Sequence, residues 1–222
     1  MTAAVWVSLG LTLKVALWAT ALNLVLGVAA GWVLARRPFI GRELVDAVLT
    51  LPLVLPPTVM GYYLLVVIGK RGWLGQWLAQ NFGINLIFSW QGAVLAATVV
   101  AFPLILKSAR TAFENVDPQL EMAARVLGLG EWAVFFRVTV PMAWPGILAG
   151  TLLVFARSLG EFGATLMVAG SIPGRTQTLS IAVHEAVQAG DDATATRLVI
   201  VISVTCLLVL LLASRLTPVR KR

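Results

Sequence analysis

Arg157 and Glu161 stand four residues apart inside "VFARSLGEFGAT", a stretch otherwise apolar enough to lie in a bilayer. Ionisable groups at that depth are rare and either pair or face a polar interior. The i, i+4 spacing lets the guanidinium reach the carboxylate one helical turn on. Three readings stay open on spacing alone: a pair that fixes packing, a group that handles an anion, and a gate contact. Ser158 and Thr165 nearby, and Thr58 in a second stretch, carry hydroxyls that can donate to an oxyanion or bond back to the i−4 carbonyl. Gly160 and Gly163 flank the glutamate and permit close helix approach.

Other chemistry is thinly provided. A single histidine, His184, rules out paired-His zinc motifs, and Asp191-Asp192 reads as a helix cap rather than a metal site. The lone Cys206 rules out an intrachain disulfide. No phosphate-binding GxxxxGK[ST] loop is present; "IGKRG" at 68–72 lacks the upstream glycine and the Ser/Thr. No Ser/His set or facing pair of aspartates marks a membrane-embedded enzyme, and no internal repeat marks a stand-alone transporter. The sequence therefore carries no catalytic residues, no metal ligands and no cofactor site of its own.

The elements that must position these residues are membrane helices. Of 222 residues, 59% are hydrophobic and 12% charged, against roughly 45–50% and about 25% in soluble domains. A span needs about 20 mostly apolar residues, and five such stretches occur, at 11–35, 45–69, 90–112, 144–169 and 195–214. The expected architecture is all-α and integral to the membrane: one domain over 5–214, then a basic tail at 215–222. The net charge of +7 reflects basic loops that orient the spans rather than nucleic-acid binding. With the N-terminus outside, Arg36, Arg37, Arg42, Lys107, Arg110, Arg125, Arg137, Arg215, Arg220, Lys221 and Arg222 fall inside, against Lys70, Arg71, Arg175 and Arg197 outside. The excess on one side predicts an external N-terminus and a cytoplasmic C-terminus.

The second stretch holds "LPLVLPPTVMGYY" with Pro52, Pro56 and Pro57. Each proline removes a backbone donor, so this helix must kink or break. Non-helical backbone survives at membrane depth only where it is buried in protein or lines a watery cavity. Pro56, Pro57 and Thr58 are therefore candidates, with Arg157 and Glu161, for the wall or gate of a translocation path; a packing kink is the alternative.

Between the third and fourth stretches lies "EMAARVLGLGEWAVFFRVTVP", residues 121–141. Asp117 is placed to cap a helix that starts at Pro118, and Gly128 or Gly130 can end it. Leu120, Ala123, Ala124 and Leu127 share one face, and Glu121 and Arg125 fall at i, i+4 beside it. "EWAVFFRV" makes a second short turn before Pro141. A small alanine-rich face suits a groove on another protein; on physical grounds a helix lying on the lipid surface fits equally well.

The spacing Ala123-Ala124-x3-Gly128-x9-Val138-x-Val140-Pro141 resembles the EAA motif of ABC-importer permeases. One departure is visible: Met122 occupies the motif's glutamate position, with Glu121 one residue earlier. "LPLVLPPTVMGYYLL", "FSWQGAVLAATVVAFPLILKSAR" and "VFARSLGEFGATLMVAGSIPGRTQTLSIAV" are similar, over nearly the whole chain, to molybdate permeases, with the sulfate/thiosulfate permeases as relatives. The resemblance implies a type I importer permease fold of five transmembrane helices in the bacterial inner membrane. It implies a coupling helix within 117–138, bearing Glu121, Ala123, Ala124, Arg125 and Gly128 and bounded by Pro141. The partners implied are a second copy of the chain, a dimer of ATPase subunits holding ATP and Mg²⁺, and an external binding protein that delivers the oxyanion. The loop after the fourth stretch, with Arg175, His184 and a short amphipathic helix near 179–189, is a candidate contact for that binding protein.

Overall fold

The computed structural model describes residues 3–216, and every regular element among them is helical. In chain order these are α1 (Ala3–Arg36), α2 (Arg42–Val54), α3 (Pro57–Ile68), α4 (Trp73–Phe82), α5 (Trp90–Glu114), α6 (Pro118–Val126) and α7 (Glu131–Val134). A π-helix (Phe135–Thr139) leads into α8 (Val140–Leu159), followed by α9 (Gly163–Ala169), α10 (Leu179–Gln188) and α11 (Asp192–Leu216). The basic tail expected at 215–222 lies, from residue 217 on, outside the described residues.

Four described helical runs are long and apolar enough to cross a membrane: Ala4–Arg36, Trp90–Glu114, Glu131–Leu159 and Asp192–Leu211. A fifth candidate is the pair α2 and α3, bent by 116°. The bend falls where Leu55 and Pro56 take extended backbone, as the prolines require. Its halves, 13 and 12 residues, are each too short to cross about 30 Å of hydrocarbon alone.

The fourth expected span is relocated. The sequence places it at 144–169, but the helical run long and apolar enough to cross extends from Glu131 to Leu159 and then breaks. Pro141 does not interrupt it. A proline cannot donate to the preceding turn, and the wide π-turn over 135–139 absorbs the register change just upstream. At the other end Gly160, Glu161 and Phe162 leave the helical path before α9 begins.

Of the four long helical runs, α5 is the most buried. Ala93, Ala97, Ala101, Ile105, Ala109 and Phe113 are fully enclosed, with α1 along one side and α8 along another. Close approach depends on glycine. A Cβ at Gly31 would sit 2.9 Å from the backbone nitrogen of Arg110 and 2.9 Å from the Ala109 Cβ. Gly31→Ala is therefore expected to force α1 and α5 apart at a cost of about 1–3 kcal/mol, read as a lower Tm in detergent. By contrast Trp6, Leu17, Trp18 and Val25 of α1 and Val204, Leu207 and Leu208 of α11 are exposed, as lipid-facing surfaces should be. Asn23, buried on α1, donates to the Thr98 carbonyl at 3.1 Å and joins the two helices where water is absent.

Candidate functional site

Two breaks in membrane helices meet. The α2–α3 break places Pro57 and Thr58 against the start of α9: a Cβ at Gly163 would lie 3.1 Å from Pro57 Cβ and 3.3 Å from the Thr58 nitrogen. One turn on, a Cβ at Gly61 would lie 2.7 Å from Met167 Cβ and 3.0 Å from Ala164 Cα. Glycine on each helix thus lets the two backbones touch. Pro57 and Thr58 therefore share one locus with the Glu161 segment; Pro56 and Thr58 are exposed there.

Arg157 and Glu161 do contact each other, at 2.8 Å between Nη1 and Oε2. The pair does not run along one continuous helix, as its spacing suggested. α8 ends at Leu159, so the contact spans the break. The second carboxylate oxygen accepts from the Ala164 amide at 3.0 Å, which satisfies one of the orphan donors at the start of α9. The Glu161 side chain is 2% exposed and Arg157 34%, so the cation keeps an open side while the carboxylate is enclosed. The Ser158 and Thr165 hydroxyls are buried with no hydrogen-bond partner. Neither bonds back to its i−4 carbonyl, the commoner use of such hydroxyls. Residues 157–165 thus place a half-open cation beside a broken helix, with two unspent hydroxyls enclosed behind it.

α10 lies over this locus. The His184 ring packs on Phe162 at 4.7 Å between centroids, so the histidine is half-buried rather than a free surface group. Thr12 of α1 accepts from the Leu179 amide at 2.9 Å, fixing where α10 starts. Arg175 is exposed. The Asp191 carboxylate accepts from the Thr194 amide at 3.0 Å as the cap of α11, and the Thr194 hydroxyl and amide hold it below the usual carboxylate range. Among the described residues no group of His, Cys, Asp or Glu could hold a metal ion.

A second locus is the segment 117–141. Asp117 accepts from the Gln119 amide at 2.8 Å, capping a helix that begins at Pro118. Gly128 takes the left-handed conformation, φ +84°. Its amide bonds the Arg125 carbonyl, and the Leu129 amide bonds the Ala124 carbonyl, the paired closure of a Schellman motif. The outward face differs from the small one expected. Ala124 is buried against its own chain, while Ala123 is exposed with Met122, Val126 and Leu127, joined by Trp132 and Phe136. Val126 and Leu127 are 88% and 82% exposed, which makes this a large unpartnered apolar face.

Nor do Glu121 and Arg125 pair with each other. Arg125 reaches Glu131 at 2.7 Å, which raises the guanidinium pKa further. Glu121 is buried, accepting from Arg36 Nη2 at 2.9 Å and from the Thr139 hydroxyl at 2.6 Å. Arg36 and Thr139 escaped the sequence reading because they lie 85 and 18 residues away. One signal was present: a one-residue shift rotates a side chain by about 100° on a helix, so the displaced glutamate turns inward while Met122 points out. Alongside, Asp46 of α2 meets Arg110 at 3.0 Å and also Lys107, and Glu114 meets Arg110 and Arg42, each at 2.9 Å. The ends of α1, α2 and α5 thus share one charged layer with α6.

Residues 24–221 match the family described as binding-protein-dependent transport system inner membrane component. The chain belongs to this family. It is 47% identical over 217 residues to the molybdenum transport system permease protein ModB of Escherichia coli (strain K12), covering 97% of this chain and 95% of that one. The Haemophilus influenzae protein of the same name is 45% identical, covering 95% and 92%. The sulfate transport system permease protein CysW of Synechocystis is 43% identical, covering 80% of this chain and 64% of its own length. The fold is shared with the permease chains of solved ABC importers. The inward-facing MetNI methionine transporter matches with TM-score 0.69 at 17% identity, covering 99% and 95%. A bacterial alginate transporter crystallised with its periplasmic protein matches with TM-score 0.78 at 15% identity, covering 98% and 80%. This is a multi-pass inner-membrane transport component with the type I permease fold.

Proposed function

We propose that the chain is the membrane-spanning subunit of an ATP-driven importer that carries molybdate across the inner membrane, with tungstate sharing the path. The observation that carries the cargo is the match to molybdenum permeases over nearly the full length of both chains. A sulfate or thiosulfate permease is the second reading, favoured by the sulfate relative, although that match leaves a third of the relative uncovered.

In this reading α6 and the turn after it are the coupling helix. Met122, Ala123, Val126 and Leu127, with Trp132 and Phe136, seat in a cleft of a separate ATPase subunit that holds ATP and Mg²⁺. Glu121, Ala124 and Arg125 hold the helix to its own chain, and Gly128 ends it. Pro141 lies just inside the span that follows. A second copy of the chain completes the path, and the helices kinked at Pro56-Pro57 and at Gly160-Phe162 form its wall. Two such breaks give alternating access a hinge, since short helical pieces reorient without breaking buried hydrogen bonds. Arg157 and Thr58 offer open donors to a passing oxyanion, and the enclosed Ser158 and Thr165 hydroxyls join them when the helix break opens. The N-terminus is external and the C-terminus cytoplasmic. The surface above α10, with Arg175, receives the binding protein.

ATPase activity of the assembled complex tests the cargo. Molybdate-loaded binding protein is expected to stimulate hydrolysis several-fold over the unloaded protein, a coupling of about 1–2 kcal/mol. Equal stimulation by sulfate-loaded and molybdate-loaded proteins of their own kinds would move the assignment to a general oxyanion permease.

A further inference from the structure

Glu121 joins three parts of the chain on one oxygen. It sits in the first turn of α6, it is 7% exposed, and its Oε1 accepts from Arg36 at the last residue of α1 and from Thr139 at the last residue of the π-helix. Aromatic packing lies beside the same junction. Trp32 of α1 meets Phe135 edge-on at 5.3 Å, and Phe135 stacks with Phe113 of α5 at 6.4 Å. Arg125, the cation that helical spacing offers to Glu121, is engaged by Glu131 instead. The carboxylate is therefore committed inward while the opposite face of the same helix stays bare.

We propose that Glu121 is a positioning residue that clasps the docking helix to α1 and α8, so that displacement of α6 by the ATPase moves both membrane helices together. The proposal rests on the reading of α6 as the ATPase-docking helix. A wide π-turn is a compliant point in a helix, and such turns recur at functional sites. Without the clasp, motion of α6 would be absorbed at residues 135–139. With Thr139 and Arg36 tied to one carboxylate, the compliant turn is bridged and the force reaches both spans. Thr139 closes the short path, from α6 to the start of α8. Arg36 closes the long one, to a helix that never enters the docking loop.

The test uses the complete transporter in proteoliposomes and reads molybdate imported per ATP hydrolysed. Glu121→Ala is expected to lower that ratio roughly tenfold while the ATPase still co-purifies in full stoichiometry and still hydrolyses ATP. The double variant Arg36→Cys with Glu121→Cys, in a Cys206→Ser background, is expected to show the same uncoupling. Closing that pair with a thiol crosslinker long enough to span the arginine–glutamate contact is expected to restore the ratio. Normal coupling in Glu121→Ala overturns the clasp, and so does a crosslinked pair that stays uncoupled or unassembled. A wild-type complex that hydrolyses ATP but imports no molybdate refutes the cargo reading instead. That result is separable, because the clasp predicts a difference between variant and wild type with whichever oxyanion the complex carries.

Discussion

Glu161→Ala is expected to lose about 2–4 kcal/mol of stability and to abolish transport. The Glu161 side chain is 2% exposed and its carboxylate has two duties: it faces Arg157 at 2.8 Å and accepts from the first turn of α9 at 3.0 Å. Losing a cap costs about 1 kcal/mol. Losing one member of a buried ion pair costs more, because the remaining charge has no partner; the half-open setting of Arg157 brings that figure down. Arg157→Ala leaves a buried carboxylate unpaired and is expected to cost a similar amount. The double variant should then be less damaging than the sum of the two, by about 1–3 kcal/mol in a thermal or denaturant double-mutant cycle. Additive losses would contradict a paired role and leave Arg157 as an independent group facing the path.

Leu127→Asp is expected to separate the chain from its ATPase while leaving it folded in the membrane. Leu127 is 82% exposed and Val126 88%, so a carboxylate there costs the isolated chain little. In a closed apolar cleft the same carboxylate loses its water without gaining a partner. A central apolar contact is worth about 2 kcal/mol or more, which corresponds to roughly thirtyfold weaker association. Co-purification and uptake should fall together, with the amount of inserted protein unchanged. Ala124→Asp should act differently. Ala124 is 6% exposed against its own chain, so a charge there disrupts the fold before any partner is met, and the inserted protein itself should fall. Full co-purification of the ATPase with Leu127→Asp would move the docking face elsewhere.

How far the sequence carried these conclusions varied with the range of the forces involved. Apolar runs announced α1, α5 and α11 because hydrocarbon length and backbone satisfaction are local demands. The boundaries of α6 were legible for the same reason: Asp117 caps, Pro118 starts and Gly128 stops, each through its own neighbours. The break at Pro56 followed from a missing donor. The course of α8 did not, since Pro141 is tolerated only because of a π-turn that no residue type signals. The direction in which α6 faces was likewise hidden. Helical spacing made Leu120, Ala123, Ala124 and Leu127 one stripe, but burial divides it, enclosing Ala124 and leaving Leu127 bare. That division is set by Arg36 and Thr139, which reach Glu121 from distant parts of the chain. The partner of Arg157 could be read from spacing; the break between Arg157 and Glu161, and the capping duty of the carboxylate, could not.

The most direct measurement is uptake of labelled molybdate into proteoliposomes that hold this chain, its ATPase and a molybdate-loaded binding protein. Accumulation that requires ATP inside, the binding protein outside and the ATPase subunit itself is the expected result, with sulfate in excess failing to compete. Accumulation without the ATPase, or none with all three components present and ATP being hydrolysed, would contradict it.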